Sequence, residues 1–297
     1  MKKVIGVITA RMASTRLPGK VLRKLAGISV FTHHVQRMKN VKGLDGIFLV
    51  TSNDSKNKKL IEEAESLDCG WYMGAEQDIV DRHVRLCERE NADAFVRVTC
   101  DNPIFDIESA SRYVEIFKQE YYDYLYVSNL SMIYGTLTEL VSFNAIREVH
   151  KHYRGAAITQ YIKENLDKFR IKDIEIHQDL CRSEYRLTMD EDSDLALLEH
   201  IYNALYRGNP LELREVYVWL DDNPQIAKIN SHVRVKGCNQ HGANLMDKSL
   251  YSIVLSGRKH LILDEHKRVM DPKKFFYNFL KLFPQLKTVE KEYEHVE

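Results

Sequence analysis

The feature that most constrains the fold is an alternation of apolar runs and helical patterns over the first 120 residues. Short apolar runs predict buried strands, which are Val4–Thr9, Gly46–Thr51 and Ala94–Thr99. Helical spacing of apolar residues predicts the helices Val30–Met38, Lys56–Leu67, Ile79–Glu90 and Glu108–Gln119. Strands that alternate with helices build mostly parallel sheets with helices on both faces. The sequence therefore predicts an α/β fold with a mixed, mostly parallel sheet.

The remainder of the chain is less regular. Strand-like segments recur at Tyr124–Ser128 and Arg186–Met189, and helical spacing recurs over Asp194–Tyr206. Around Asp221–Pro224 the composition becomes more polar, and the final stretch contains a loop-rich segment dotted with glycine. We expect a main domain over residues 1–222 and a C-terminal extension or small subdomain over residues 223–297.

Charge and cysteine content limit the classes of function. Lys plus Arg equals Asp plus Glu at 43 each, so no overall charge attracts nucleic acid or a membrane surface. No apolar run approaches membrane-spanning length, and because the N-terminus leads directly into a predicted strand we expect no signal peptide. The five cysteines are odd in number and form no C-x-x-C pair, which argues against a disulfide framework and a structural zinc. We expect a cytoplasmic protein that acts on small molecules and could form a homodimer.

A basic loop, ITARMASTRLPGKVL, follows the first strand and contains three cations, Arg11, Arg16 and Lys20. Ligands of open α/β sheets bind beyond the carboxyl ends of the strands, where loop N–H groups and a helix N-terminus favour phosphate. Arginine can bind phosphate through two hydrogen bonds, and lysine adds a point charge. The loop lacks the first glycine and the hydroxyl of a Walker A motif, and the chain has no G-x-G-x-x-G. The loop therefore predicts another kind of polyphosphate site.

Two aspartates follow predicted strands at separate places in the chain. Asp101 ends the third strand in VRVTCDNPIFD, and Asp190 precedes a helix in RLTMDEDSDL, where Asp192 is a candidate N-cap and Asp194 lies in the first turn. Mg²⁺ is commonly bound by one or two carboxylates together with substrate phosphates. A basic loop and two such aspartates predict nucleotidyl transfer, in which an acceptor oxygen attacks the α-phosphorus and pyrophosphate leaves.

With these motifs the chain resembles the cytidylyltransferases typified by the spore coat polysaccharide biosynthesis protein F family, which are relatives of CMP-sugar-acid synthetases. The resemblance begins with ARMASTRLPGKVL at Ala10 and continues through GAEQDIVDRHV (Gly74–Val84) and GTLTELVSF (Gly135–Phe143). It covers roughly residues 1–222 and implies a GT-A-like fold. Cys100 stands where the family usually has glycine, and the acceptor-side histidine that many members carry before Gln160 is missing.

The resemblance implies a role for each matching residue. CTP would be the nucleotide and Mg²⁺ the metal, held by Asp101 and Asp190. Arg82 would lie near the cytidine and Glu139 near the acceptor. Arg11, Arg16 and Lys20 of the basic loop would hold the triphosphate. The expected catalytic residues are Arg11, Lys20, Asp101 and Asp190, and the other substrate-binding residues of the loop are Ala10, Ser14 and Thr15.

The leading hypothesis is thus a Mg²⁺-dependent cytidylyltransferase that couples CTP to a sugar acid, a sugar phosphate or another phosphorylated metabolite for surface polysaccharide synthesis. One alternative is a GT-A glycosyltransferase that uses a nucleotide sugar, for which Asp190-Glu191-Asp192 is a weak D-x-D match. Another is a non-catalytic nucleotide-binding protein on the same fold. Pyrophosphate is expected as a product only from the first.

Overall fold

The computed structural model describes residues 2–233 except 15, 128–132, 156–157 and 183. Its strands are β1 Val4–Thr9, β2 Lys24–Leu25, β3 Ile28–Ser29, β4 Ile47–Ser52, β5 Gly70–Gly74, β6 Ala94–Thr99, β7 Tyr124–Tyr126, β8 Glu139–Ser142 and β9 Ile171–Asp173. Its α-helices are α1 Val30–Lys39, α2 Lys58–Ser66, α3 Ile79–Glu90, α4 Ile107–Gln119, α5 Phe143–His152, α6 Gln160–Glu164, α7 Asp192–Leu205, α8 Leu213–Asp222 and α9 Pro224–Ala227. Short 3₁₀ turns lie at Lys20–Leu22, Ser55–Asn57, Leu166–Lys168 and Gln178–Leu180.

Seven of these strands form one mixed sheet in the order β5-β4-β1-β6-β8-β7-β9. The pairs β5–β4, β4–β1, β1–β6 and β7–β9 are parallel, whereas β8 runs antiparallel to both β6 and β7. Because β1, β4 and β6 are parallel neighbours, their carboxyl ends meet at one edge of the sheet. The predicted mixed, mostly parallel sheet is confirmed.

Helices cover both faces of this sheet, as the sequence predicts. One face packs against α1, α2, α4, α7 and α8 through a large apolar cluster that includes Ile8, Val96 and Leu198. The other face packs against α3, α5 and α6 through a smaller cluster that includes Val7 and Phe95. The central strands are buried on both faces, which explains why β1 reads as a continuous apolar run rather than an alternating pattern.

Most predicted elements coincide with observed ones within two residues at each end. The strand predicted at Arg186–Met189 is wrong. Arg186 forms one isolated bridge with Tyr134, and the segment that follows is held by single hydrogen bonds. Leu187 and Met189 are buried apolar residues two positions apart, so the sequence resembles that of a strand. No neighbouring strand lies along this segment among the described residues.

The first compact unit of the chain runs through Val233 and thus includes α9 and the turns after it. Residues 234–297 lie outside the described residues, so the division at residue 222 and the C-terminal subdomain stay predictions. In the described part of the chain, no helix combines the length and apolar character needed to cross a membrane.

Candidate active site

The basic loop is held in place by a buried asparagine. Asn57 Oδ1 accepts the Met12 amide hydrogen at 2.8 Å, and its Nδ2 donates to the Ser52 carbonyl at the end of β4 at 2.9 Å. Gly19 closes the loop with a left-handed φ of 67° and donates its N–H to the Met12 carbonyl. The loop therefore returns to the carboxyl edge of the sheet and delivers Lys20 there.

A three-residue 3₁₀ turn and the β2–β3 hairpin follow this loop, and α1 begins only at Val30. We expected that the N-terminus of a helix directly after this loop would favour phosphate binding. That expectation is wrong, because the loop is followed only by a three-residue turn, whose few aligned peptide groups give a small dipole. The local positive charge comes from side chains instead.

Lys20 and Arg16 meet at one carboxylate. Lys20 Nζ lies 3.0 Å from Asp190 Oδ1 and 3.7 Å from Asp101 Oδ2, and Arg16 Nη2 lies 3.1 Å from Asp190 Oδ1. Arg16 also binds Glu191 Oε1 at 2.9 Å. The structure thus brings together two of the three loop cations and both predicted aspartates. Arg11 points elsewhere.

Arg11 lies 3.5 Å from Glu76, in the loop between β5 and α3 that also contacts Arg82. Arg82 is buried and donates from Nη2 to the Glu76 carbonyl at 3.1 Å. Burial, followed by the charge of Arg11, lowers the pKa of Arg82. A Cβ on Gly74 would lie 2.8 Å from Arg82 Cγ, so the glycine gives this side chain room. Arg11, Glu76 and Arg82 therefore form a second cluster of polar side chains.

The remaining loop residues lie as follows. Ala10 is buried and donates its N–H to the Val50 carbonyl at 3.1 Å. Ser14 Oγ accepts the Leu17 amide hydrogen at 3.4 Å, which shapes the loop internally. Thr15 lies outside the described residues.

Asp101 follows β6 and is joined by its backbone to the segment that carries Asp190. Its carbonyl accepts the Met189 amide hydrogen at 2.7 Å and the Thr188 hydroxyl at 3.2 Å. Its Oδ1 is buried and accepts no hydrogen bond from any described residue. A buried anionic oxygen without a donor is costly and is a natural position for a cation.

Asp190 is embedded in positive charge. Burial by itself would raise the pKa of its carboxyl, but the charges of Lys20, Arg16 and Arg186 outweigh burial, and the pKa lies below the usual value. Asp190 is therefore ionised at neutral pH.

Asp194 organises this region, and its importance exceeds the helix-capping role that the sequence suggests. Its side chain is fully buried and accepts five hydrogen bonds, from Arg186 Nε and Nη2, the Asp190 and Glu191 amides, and Asn230 Nδ2, over 2.8–3.1 Å. The predicted N-cap Asp192 is wrong, because Glu191 caps α7 in a capping box with Asp194. Asp194 thereby fixes the backbone of Asp190.

Sequence reasoning missed Arg186 and Asn230. The four-residue spacing between Arg186 and Asp190 was an available signal, but nothing local marks Asn230. It lies 36 residues after Asp194 and also donates to the Arg186 carbonyl.

Glu139 lies at the start of β8, in a separate polar cluster. Its Oε1 accepts from Arg97 Nη1 and its Oε2 from the Tyr124 hydroxyl, both at 2.7 Å. Burial alone would raise the pKa of Glu139, but the charges of Arg97 and Lys163 lower it. Glu139 is thus ionised, and each of its two oxygens accepts one hydrogen bond from the protein.

The carboxylate oxygens of Asp101 and Asp190 at the edge of the sheet are suitable ligands for Mg²⁺. Two carboxylates converge on one ammonium group, and Asp101 offers an oxygen without a donor. Among the described residues no three His, Cys, Asp or Glu side chains are placed to hold a metal by themselves. A site of two carboxylates suits an ion that takes its other ligands from phosphates and water.

The sequence matches the profile of a family described as Cytidylyltransferase over residues 5–218. It is 34% identical to an uncharacterized protein of Methanocaldococcus jannaschii, over 79% of this chain and 97% of that protein. It is 28% identical to the spore coat polysaccharide biosynthesis protein SpsF of Bacillus subtilis, over 76% of this chain and 98% of that protein. A solved cytidylyltransferase from Leptospira borgpetersenii has a TM-score of 0.72 at 23% identity, covering 76% and 97% of the two chains. At that identity the structural likeness shows a shared fold.

Proposed function

This chain belongs to the cytidylyltransferase family and is a CTP-dependent nucleotidyltransferase, and we propose that the Asp101–Asp190 edge of its sheet transfers the cytidylyl group to a small acceptor in a Mg²⁺-dependent reaction. The observation that carries the proposal is the position of Lys20. One ammonium contacts both carboxylates, so triphosphate, lysine and metal ligands can share one small volume.

In the proposed reaction an ionised acceptor oxygen forms a bond to the α-phosphorus of CTP. A phosphate oxygen is already ionised at neutral pH, and a hydroxyl group would pass its proton to water. The bond from that phosphorus to the oxygen that bridges it to the β-phosphorus breaks, and pyrophosphate leaves with the electron pair. Lys20 and Arg16 donate hydrogen bonds to phosphate oxygens and neutralise the charge that moves onto pyrophosphate. Mg²⁺ on Asp101 and Asp190 would add Lewis-acid stabilisation of phosphoryl oxygens.

Arg16 and Lys20 are engaged by Asp190 and Glu191 in the structure. Binding of a triphosphate therefore exchanges protein carboxylates for phosphate oxygens around the same two cations. Asp194 keeps Asp190 in place during this exchange, since its carboxylate accepts hydrogen bonds from the Asp190 and Glu191 amides. We assign Arg82, with Ala10 and Ser14, to the nucleotide side of the site and Glu139 to the acceptor side.

The proposed acceptor is a sugar acid, a sugar phosphate or another phosphorylated metabolite, and the proposed pathway class is surface polysaccharide synthesis. The name of the Bacillus subtilis relative supports this class. The proposal places the enzyme in the cytoplasm, where CTP is made. The four described cysteines are all unpaired, which is consistent with a reducing compartment. Homodimer formation stays a prediction.

The test is pyrophosphate release with Mg²⁺ and each of CTP, UTP, GTP and ATP, against sugar acids and phosphorylated metabolites. The proposal expects release that requires CTP, Mg²⁺ and one acceptor class. Transfer of sugar from a nucleotide sugar without pyrophosphate would favour the glycosyltransferase alternative. Tight Mg²⁺-dependent CTP binding without turnover by any acceptor would favour a binding protein.

A further inference from the structure

Arg16 is paired with two carboxylates, and only one of them belongs to the proposed metal site. Its Nη2 lies 3.1 Å from Asp190 Oδ1, and its Nη1 lies 2.9 Å from Glu191 Oε1. Asp190 is one of the two proposed magnesium ligands. Glu191 is not, and within the described chain its ion pair is with Arg16. The charge of Glu191 therefore has no role in the site as described so far.

The two partners of Arg16 differ in how easily they can move. Asp190 is 12% exposed, and its carboxylate also faces Lys20 at 3.0 Å and Arg186 at 3.5 Å. The side chain of Glu191 is 40% exposed and is one methylene longer than that of an aspartate. Glu191 can thus rotate into water, whereas Asp190 is held by three cations. An anion that arrives at Arg16 displaces Glu191.

The balance of charge shows what Glu191 does to such an anion. Arg16 and Lys20 supply two positive charges, and three carboxylates face them, from Asp101, Asp190 and Glu191. A Mg²⁺ ion on the two aspartates would offset two of these negative charges. Glu191 then remains as an uncompensated anion beside the arginine that binds phosphate. It repels a bound polyphosphate and competes with it for the same guanidinium group.

Glu191 competes as part of the same chain, so it is not diluted away. It stands at the start of α7, and Asp194 Oδ2 accepts its amide hydrogen at 3.1 Å. The backbone therefore stays in place when the side chain is displaced, and the carboxylate remains within reach of Arg16 at a fixed effective concentration. The ion pair can form again as soon as a polyphosphate loosens its contact with Arg16.

Building on the proposed function, we propose that Glu191 is an internal competitor of CTP and of pyrophosphate at Arg16. Its charge weakens the binding of the substrate and speeds the departure of the product. Glu191 acts through Arg16 and touches no reacting atom. Arg16 binds the pyrophosphate part of CTP in the proposed reaction, so CMP, which lacks that part, is insensitive to the charge of Glu191.

The first experiment is calorimetric titration of Glu191→Gln with inorganic pyrophosphate, CTP and CMP, each in the presence of Mg²⁺. Glutamine keeps the length of the side chain and an oxygen that can cap α7, but it carries no charge. Pyrophosphate and CTP should bind roughly two- to fivefold more tightly, the range expected for one partly exposed ion pair. The affinity for CMP should not change. Unchanged affinity for pyrophosphate and CTP, or an equal gain for CMP, overturns the proposal.

Asp192→Asn is the matched control. Asp192 is the next residue, is exposed in the first turn of α7 and pairs with no cation of the described chain. This variant removes the same charge from the same end of the helix without touching Arg16, and it should bind both polyphosphates as the unaltered protein does. Equal gains in Asp192→Asn and Glu191→Gln would show a general effect of charge and overturn the competition at Arg16.

A double-mutant cycle tests whether the effect passes through Arg16. Arg16→Gln should weaken the binding of pyrophosphate and CTP, because it removes one of their cations. In that background Glu191→Gln should restore little affinity, since the ion pair that it breaks is already absent. The same gain from Glu191→Gln with and without Arg16 contradicts the proposal. Thermal unfolding of each variant confirms that the compared proteins are folded.

Turnover supplies a further readout. In Glu191→Gln, inhibition by added pyrophosphate should strengthen by the same factor as its binding and the KM for CTP should fall, whereas the KM for the acceptor should not change. The binding experiments need no acceptor and distinguish two kinds of failure. If the unaltered protein does not bind CTP, the proposed function is overturned and this inference falls with it. If Glu191→Gln binds CTP and pyrophosphate no more tightly than the unaltered protein, this inference alone is overturned.

Discussion

Asp101 presents a buried carboxylate oxygen that accepts no hydrogen bond within the described chain. If this oxygen binds the metal, Asp101→Asn removes a charged ligand but keeps the side-chain volume. We expect turnover to fall by roughly 10²–10³-fold, the order found when one charge-stabilising group is lost, with an unchanged unfolding temperature. Pyrophosphate release and thermal unfolding measure the two effects. Asp68→Asn is the control, because Asp68 is exposed and its left-handed φ of 54° suits asparagine. Full activity in Asp101→Asn would remove Asp101 from the metal site.

The buried side chain of His34 should make the free energy of unfolding depend on pH. It is fully buried beneath the site, its Nε2 has no partner in the described chain, and burial lowers its pKa to about 4. The unfolded chain binds a proton near the ordinary histidine pKa and the folded chain does not, so this residue reduces stability as the pH falls below about 6.5. The loss stops growing below pH 4.

His34→Leu should therefore flatten the decline in the free energy of unfolding between pH 7 and pH 5. The effect of one such histidine over this range is about 2 kcal/mol. Denaturant titrations at the two pH values measure it, and His200→Leu, at an exposed position on α7, is the control. An unchanged slope in His34→Leu would show that His34 is not held neutral.

At single positions the sequence predicts charged ligands better than it predicts the residues that hold them. Asp101, Asp190 and Lys20 stand in contiguous motifs whose chemistry is visible from residue type. Asp194 looks like a helix cap because a carboxylate in a first turn usually is one. Three of its five hydrogen bonds come from Arg186 and Asn230, and those contacts exist only in the folded chain.

At the scale of elements, β1 and β6 could be predicted because each is a short, mostly apolar run. Such a run is expected of strands that pair on both sides within a sheet, as these two do. The segment 186–189 has buried apolar residues at positions 187 and 189, but it lies between Asp101 and Tyr134 without a strand partner along its length. The local sequence pattern indicates which side chains are buried, but it does not indicate whether the segment pairs with another strand. The segment that delivers Asp190 is therefore fixed by tertiary hydrogen bonds.

Gly135 sets the position of that segment. Its φ is +104°, and a Cβ there would lie 2.2 Å from the Thr188 amide nitrogen. Gly135→Ala should lower the free energy of unfolding by about 3 kcal/mol or more through backbone strain and steric overlap, and should also displace Asp190 and reduce turnover. Gly208→Ala is the matched control, because its φ is +95° but nothing lies within 4 Å of the added carbon. That variant should lose roughly 1 kcal/mol and keep its activity. Equal losses in the two variants would refute a steric role for Gly135.

At the scale of the molecule, the sheet order explains why residues far apart in sequence share one edge. Lys20 follows β1, Asp101 follows its neighbour β6, and the ion pair of Arg97 and Glu139 lies where β6 meets β8. The alternation of strands and helices predicts parallel pairing and its carboxyl edge. It does not predict that β8 enters the sheet beside β6 in the antiparallel direction, which is what joins Arg97 to Glu139.

Asn230 lies past residue 222 and contacts the residues that hold Asp190. It is buried and donates to both the Arg186 carbonyl and Asp194 Oδ1, so the turns after α9 support the backbone of Asp190. Asn230→Ala removes one hydrogen bond from each of two buried acceptors, the Arg186 carbonyl and Asp194 Oδ1. This loss should lower the free energy of unfolding by about 1–3 kcal/mol. Turnover should fall as well, because Asp194 then holds Asp190 less firmly.

Ser231→Ala is the control for this variant, since Ser231 is exposed and its hydroxyl donates only to the Lys228 carbonyl among the described residues. Denaturant titration and pyrophosphate release on the full chain measure stability and activity together. A loss of stability with full turnover would make Asn230 a packing residue alone. A loss of turnover at temperatures where Asn230→Ala is fully folded would place the segment after α9 within the catalytic unit, because it would then position a metal ligand that lies 40 residues earlier in the chain.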